Sequence, residues 1–159
     1  MFTRVGFVGL CDGIVTGAAP EHGPVGQPVS GVMNIPFSPG NLKLFVPADI
    51  SISGRTFHTD RALFDAGATI TAASPSVIGH LAGDSVYGGI AHGVGGDSAA
   101  QICSASLSLP GGILIPDVSL WLFDLPEHTA DLIIGMDVIS RGHFTIDGTC
   151  DRPYFCFRF

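Results

Sequence analysis

Residues 62–74, ALFDAGATITAAS, set one carboxylate, Asp65, directly after an apolar Ala-Leu-Phe run and directly before a turn of small residues. An acid leaving a buried strand at such a point sits where desolvation penalises its ionised form. Two readings are open. In one, Asp65 caps its own backbone in a tight turn, as Asp does in many Asp-x-Gly tripeptides. In the other it is a catalytic carboxylate, and Ala66, Gly67 and Ala68 are the loop that presents it. A second candidate feature lies about 70 residues on, where LIIGMDVI (132–139) puts Gly135 and Asp137 at the end of another apolar run. Apolar residues leading into a glycine mark a close approach of two backbones. Between the two features runs VYGGIAHGVGGD (86–97). It is either an ordinary flexible loop or a hairpin that bends over a ligand.

The elements that must hold these residues are short strands. Ile50 and Ile52 alternate in ADISISG, Leu107 and Leu109 in SASLSLP, Val118, Leu120 and Leu122 in PDVSLWLF, and Phe155, Phe157 and Phe159 in the tail. That period of two predicts a mostly-β protein. No long stretch keeps a helical period. The body reads as two halves of similar pattern without repeated identity, each a hairpin feeding an apolar strand that meets a glycine, then a helical turn. Two such strands could cross, with the loop of one threaded beside the other. Residues 1–40, rich in Pro and Gly from 16 onward, read as a partly irregular N-terminal arm, and residues 41–159 as the domain.

Composition narrows the function classes. A chain of 159 residues with 46% hydrophobic and 13% charged residues folds as one domain and is too apolar for disorder. A net charge of −7 with only seven Lys and Arg, none clustered, speaks against nucleic acid as a partner. No apolar run approaches the ~20 residues of a membrane helix, so a soluble protein without a membrane partner is expected. The opening MFTRVGFVGLCDG lacks a small-residue cleavage site, which points to the cytoplasm. Cys11, Cys103, Cys150 and Cys156 form no Cys-x-x-Cys. They read as free thiols in a reducing compartment, with a Cys150–Cys156 pairing across a hairpin as the alternative. The six His stand singly, without metal-ligand spacing, so neither metal nor cofactor is expected.

With FDAGAT at 64–69 and LIIGMDVI at 132–139, the chain resembles the retropepsin-like aspartic proteases over roughly residues 43–159. The resemblance implies a retropepsin-like acid-protease fold, closed and barrel-like, with a short C-terminal helix and one Asp-x-Gly motif per chain. It implies peptide hydrolysis by two carboxylates that share one proton across a bound water. Since this chain carries one such motif, Asp65 must meet its twin on the two-fold axis of a homodimer. The glycine-rich hairpin becomes a flap, with Ile90, Val94, Gly95 and Gly96 as flap and substrate-binding residues and Val94–Gly96 as its tip. Phe57 and Trp121 join Ile90 and Val94 as candidate pocket residues, although core packing is the plainer fate for Trp121. Gly135 and Asp137 become a structural loop, with Asp137 capping the short segment after it. The resemblance also places the tail YFCFRF, and the N-terminal stretch around TRVGFVG, in an intersubunit sheet.

One position departs from the family pattern. Residue 66 is Ala, where the family has a Thr or Ser whose hydroxyl bonds across to the partner's loop. Three explanations stand: other contacts hold the dimer, the enzyme is weak or conditional, or Ala66 is an introduced change. Ala68 leaves no hydroxyl to donate to the carboxylate, which favours activity under mildly rather than strongly acidic conditions. The rival expectation is a catalytically weak or inactive domain of the same fold, serving dimerisation or peptide binding. A third is an unrelated β-barrel in which DAGA is an ordinary turn.

Overall fold

The computed structural model describes residues 27–38, 43–78, 87–93, 96–126, 130–149 and 152–159. The chain is mostly β. Its strands are β1 (Val32–Pro36), β2 (Phe45–Ile52), β3 (Arg55–Phe64), β4 (Ala72–Ala73), β5 (Tyr87–Gly93), β6 (Gly96–Leu109), β7 (Ile113–Leu122), β8 (Leu132–Ile134), β9 (His143–Asp147) and β10 (Tyr154–Arg158). Two single-turn helices, α1 (Pro75–Ile78) and α2 (Met136–Ile139), follow β4 and β8.

Six strands close into a barrel in the order β2-β3-β8-β4-β7-β6, and β6 returns to pair with β2 through Ile50 and Leu107. Local chemistry sets its corners. Ser53 and Gly54 both take positive φ between β2 and β3, the requirement of the tightest two-residue hairpins. In β7 one extra residue intrudes near Asp117, which has φ 54°, so the buried positions step from Ile113 and Ile115 to Val118, Leu120 and Leu122. This bulge preserves the inward face across the break. Arg141 holds it from outside, donating to the Pro116 carbonyl at 2.8 Å.

The two strands that lead into Gly67 and Gly135 lie side by side rather than crossing, and the two halves exchange strands. In the first half the β2–β3 hairpin leads to β4 and α1; in the second the β6–β7 hairpin leads to β8 and α2. Strand β8 pairs parallel with β3, in the register Ala62↔Leu132, Leu63↔Ile133 and Phe64↔Ile134, and β4 pairs parallel with β7. Strands buried on both sides read as unbroken apolar runs. Accordingly Ala62, Phe64, Leu132 and Ile134 face the barrel core, whereas Leu63 and Ile133 face a second cluster containing Ala68, Ala91, Ala100 and Trp121.

A separate sheet has the order β1-β10-β9. Strand β1 falls within the segment read as an arm. It pairs with the tail from Val32↔Arg158 to Pro36↔Tyr154. Phe155 and Phe157 are fully buried against the ring of Phe64, at centroid distances of 5.7 and 5.4 Å. The family resemblance implies an intersubunit sheet for the tail. Instead both edges of β10 are hydrogen-bonded within the chain, to β1 and β9, so it offers no edge to a second copy. Burying its aromatic face on Phe64 fixes it there. The TRVGFVG stretch lies outside the described residues.

Candidate active site

Asp65 is the first residue beyond β3, and the parallel register sets it beside Gly135 at the end of β8. Its amide N–H donates to the Ile134 carbonyl at 3.1 Å. Its carboxylate Oδ1 accepts the Gly67 N–H at 2.8 Å, and the Ala68 N–H reaches back to the Asp65 carbonyl at 3.1 Å. The self-capping turn is therefore real, and it is compatible with the catalytic reading because it occupies only one carboxylate oxygen. Among the described residues nothing donates to Oδ2. Asp65 is half-buried, Ala66 is exposed and Ala68 is buried in the second cluster. The loop thus holds its carboxylate at the surface on a rigid base.

That base is the segment Ile134–Val138. The Met136 N–H donates to the Ala68 carbonyl at 2.8 Å, and the Asp137 N–H to the Thr69 carbonyl at 3.2 Å. Thr71, fully buried, accepts the Gly135 N–H at 3.1 Å and donates its hydroxyl to Asp137 Oδ1 at 2.7 Å. The same oxygen accepts the Val138 N–H at 3.0 Å. Burial raises the Asp137 carboxyl above its ordinary pKa of 3.8, and the bonds from Thr71 and Val138 only partly offset this. Asp137 is not the helix cap. Gly135 occupies the N-cap position of α2 without a side-chain bond, and Asp137 lies inside the first turn. The antiparallel pairing of β4 with β8 brings Thr71 alongside, and the Asp137 carboxylate accepts from that hydroxyl.

Sequence reasoning did not single out Thr71. Its available signal was a hydroxyl inside the apolar run Ala-Thr-Ile-Thr-Ala-Ala, where burial demands partners on other segments. Thr59 is the other buried polar residue among those described, and it carries a similar bond to Asp131 Oδ2 at 2.8 Å.

The glycine-rich stretch forms a hairpin of β5 and β6, paired from Tyr87↔Ile102 to Gly93↔Gly96. Gly96 has φ 104°, which favours glycine. Val94 and Gly95 lie outside the described residues. Ile90 is 53% exposed on the hairpin stem. A Cβ on Gly89 would come within 2.9 Å of the Trp121 ring, so the hairpin base is seated on that indole. Trp121 is a core residue, 3% exposed, in the cluster that also holds Ala68. Phe57 packs against the barrel core rather than this cluster. One packed unit thus carries both the Asp65 loop and the hairpin.

Among the described residues no group of three His, Cys, Asp or Glu side chains is placed to hold a metal ion, and no helix is long and apolar enough to cross a membrane. Cys103 and Cys156 are free thiols.

No protein-family model and no curated protein matches the chain. Among solved structures it is similar to the crystal structure of a retropepsin-like aspartic protease from Rickettsia conorii, with a TM-score of 0.53 and 13% identity over 84% of this chain and 94% of that one. At that identity the likeness defines the fold. This is a mostly-β chain of retropepsin-like fold, closed around a six-stranded barrel.

Proposed function

We propose that the chain is an aspartic endopeptidase that works as a homodimer, pairing Asp65 of two copies across a two-fold axis. The observation that carries this reading is the placement of Asp65. It is a half-buried carboxylate at the end of a core strand, locked through Oδ1 by the Gly67 N–H and tied by its own N–H to the Ile134 carbonyl, in a fold of retropepsin-like type. One chain supplies a single such acid, and the chemistry needs two.

In this mechanism one Asp65 is ionised and its twin is protonated, because two adjacent like charges cannot both ionise at low cost. The ionised carboxylate takes a proton from the bound water as its oxygen attacks the peptide carbonyl carbon. The protonated twin gives its proton to the carbonyl oxygen, leaving a neutral tetrahedral diol. The first carboxyl then returns its proton to the amide nitrogen while the twin, now ionised, takes a proton from one diol hydroxyl, so that the carbonyl re-forms, the C–N bond breaks, and acid and amine are released. No covalent link to the protein forms. The β5–β6 hairpin acts as the flap, excluding water and offering Ile90 and Gly96 to an extended peptide, with Val94 and Gly95 assigned to the tip. Phe57, set against the barrel core, and Trp121, buried beneath the hairpin, are not assigned to the pockets. Residues 41–159 carry the activity, and no cofactor or metal is assigned.

Ala66 favours a second reading. Its methyl group is exposed and makes none of the bonds a hydroxyl would make toward a partner. A domain that keeps the fold as a dimerisation or peptide-binding module would tolerate that loss. Cleavage of a mixed peptide library between pH 3 and 7, by the parent and by Asp65→Asn, with sedimentation of both, separates the readings. A dimer whose cleavage vanishes in Asp65→Asn supports the protease. A folded dimer that cuts nothing supports the module.

A further inference from the structure

We infer that Thr71 and Asp137 are positioning residues for Asp65, fixing its loop from within each single chain. In its kinetic consequence the inference rests on the proposed protease reading; in its structural consequence it does not.

The loop from Asp65 to Thr71 is tied to residues 134–138 along its whole length. The Asp65 N–H bonds to Ile134 at the near end, the Ala68 and Thr69 carbonyls take the Met136 and Asp137 amides in the middle, and the Thr71 hydroxyl joins Gly135 to Asp137 at the far end. Beyond that, the Trp121 N–H donates to the Thr71 carbonyl at 3.0 Å. The two segments touch without spare room, since a Cβ on Gly135 would lie 2.4 Å from the Ile70 carbonyl oxygen. The orientation of the Asp65 carboxylate depends on the Gly67 N–H, and Gly67 is held only as firmly as its loop. Ala66 contributes nothing polar, so this intrachain tie is what remains to preorganise the acid. Thr71 is its central member. Its one hydroxyl accepts from the buried Gly135 amide and donates to the half-buried Asp137 carboxylate, and removing it takes one partner from each.

The test uses the 15N-labelled full chain with Thr71→Val, Thr71→Ser and, as a control, Thr59→Val, which removes a buried hydroxyl bond remote from the loop. The Gly67 amide reports the Asp65 carboxylate through their hydrogen bond, so its shift is followed from pH 3 to 7, together with kcat and KM for a cleaved peptide. In Thr71→Val the Gly67 amide is expected to exchange faster and lose its response to Asp65 ionisation, and kcat to fall about 10- to 100-fold with KM little changed. Thr71→Ser should restore both, and Thr59→Val should lower stability while leaving the Gly67 response intact. A Thr71→Val chain whose Gly67 amide titrates as in the parent overturns the inference. A parent that cuts nothing sinks the protease reading alone, because the amide readings still decide the positioning role. Should Thr71→Val not fold, native-state exchange of the parent decides: the Asp65, Met136 and Asp137 amides must open together, and loop amides that open independently of α2 overturn it.

Discussion

A Cβ built on Gly135 would stand 2.4 Å from the carbonyl oxygen of Ile70 and 2.5 Å from its carbonyl carbon. Atoms do not pack that closely, and the obstacle is backbone on both sides rather than a side chain that can swing away. Gly135→Ala must therefore push the Asp65 loop off α2. The expected cost is about 3 kcal/mol or more, at the upper end of overpacking penalties because the neighbour cannot yield. Urea unfolding of the variant measures it, and a loss below about 0.5 kcal/mol, the range of neutral surface changes, would show that the two segments are not in this contact.

Much of the barrel was legible because period-two alternation survives wherever one face of a strand is buried. Ile50, Ile52, Leu107, Leu109, Val118, Leu120, Leu122, Phe155 and Phe157 all point inward as their spacing requires. The glycine of LIIGMD declared a backbone contact, and the contact is with Ile70. Other features left no readable trace. Strand β4 has two residues, too few to show a period, and it is placed by β7 and β8 rather than by its own sequence. Alternation in the tail shows that Phe155 and Phe157 share a face, but not which strands flank them, so the intrachain position of β10 emerged only with β1 and β9. In the candidate site, Asp65 announced itself by chemistry. Thr71 did not, because a hydroxyl in an apolar run shows only that it needs partners, and those partners lie 64 and 66 residues away.

Asp137 yields a pH-dependent prediction. Its carboxyl is held above its ordinary value, chiefly by burial, so the folded chain binds this proton more tightly than the unfolded chain does. Between 3.8 and the folded value the folded state carries more protons, and stability contributed by this group falls as pH rises through that window. Above the window the desolvation cost of the charge is fully present. Asp137→Asn keeps the Oδ1 acceptor for Thr71 and Val138 but carries no charge. It is expected to melt higher than the parent at pH 7, with the advantage shrinking toward zero as the pH is lowered through 3.8. An advantage that grows on acidification would contradict the assignment of burial as the dominant cause.

The two described thiols should differ sharply in reactivity. Cys103 is 3% exposed inside the barrel, and burial pushes its thiol up to about 11. At pH 7.5 less than about one molecule in a thousand carries the thiolate, and the reagent has no path to it. Cys156 sits half-buried on the outer face of β10. Brief iodoacetamide treatment of the folded chain, mapped by peptide mass, should modify Cys156 and spare Cys103 until urea is added. Equal labelling of both in the native chain would mean that the barrel opens readily around Leu120, to whose carbonyl the Cys103 thiol points at 3.9 Å.

Ala66 sets the last test, because its consequences for one chain and for two are separable. The residue is exposed and makes no side-chain bond, so Ala66→Thr replaces one surface methyl by a hydroxyl-bearing group at the tip of the Asp65 loop. Within a single chain the effect should stay within about 0.5 kcal/mol, as for surface changes that touch nothing. Across a two-fold axis the same hydroxyl reaches the partner's loop in the proposed assembly, and each new buried bond there contributes about 0.5–1.5 kcal/mol. Two are made per dimer by symmetry, so the dimer dissociation constant should fall about 5- to 150-fold while dilute-chain stability holds. Sedimentation across a concentration series reads the first quantity and urea unfolding at the lowest concentration reads the second. Unchanged association with unchanged stability would mean that residue 66 faces solvent in the assembly as it does in the single chain, and the pairing of the two Asp65 loops about a shared axis would fall with it.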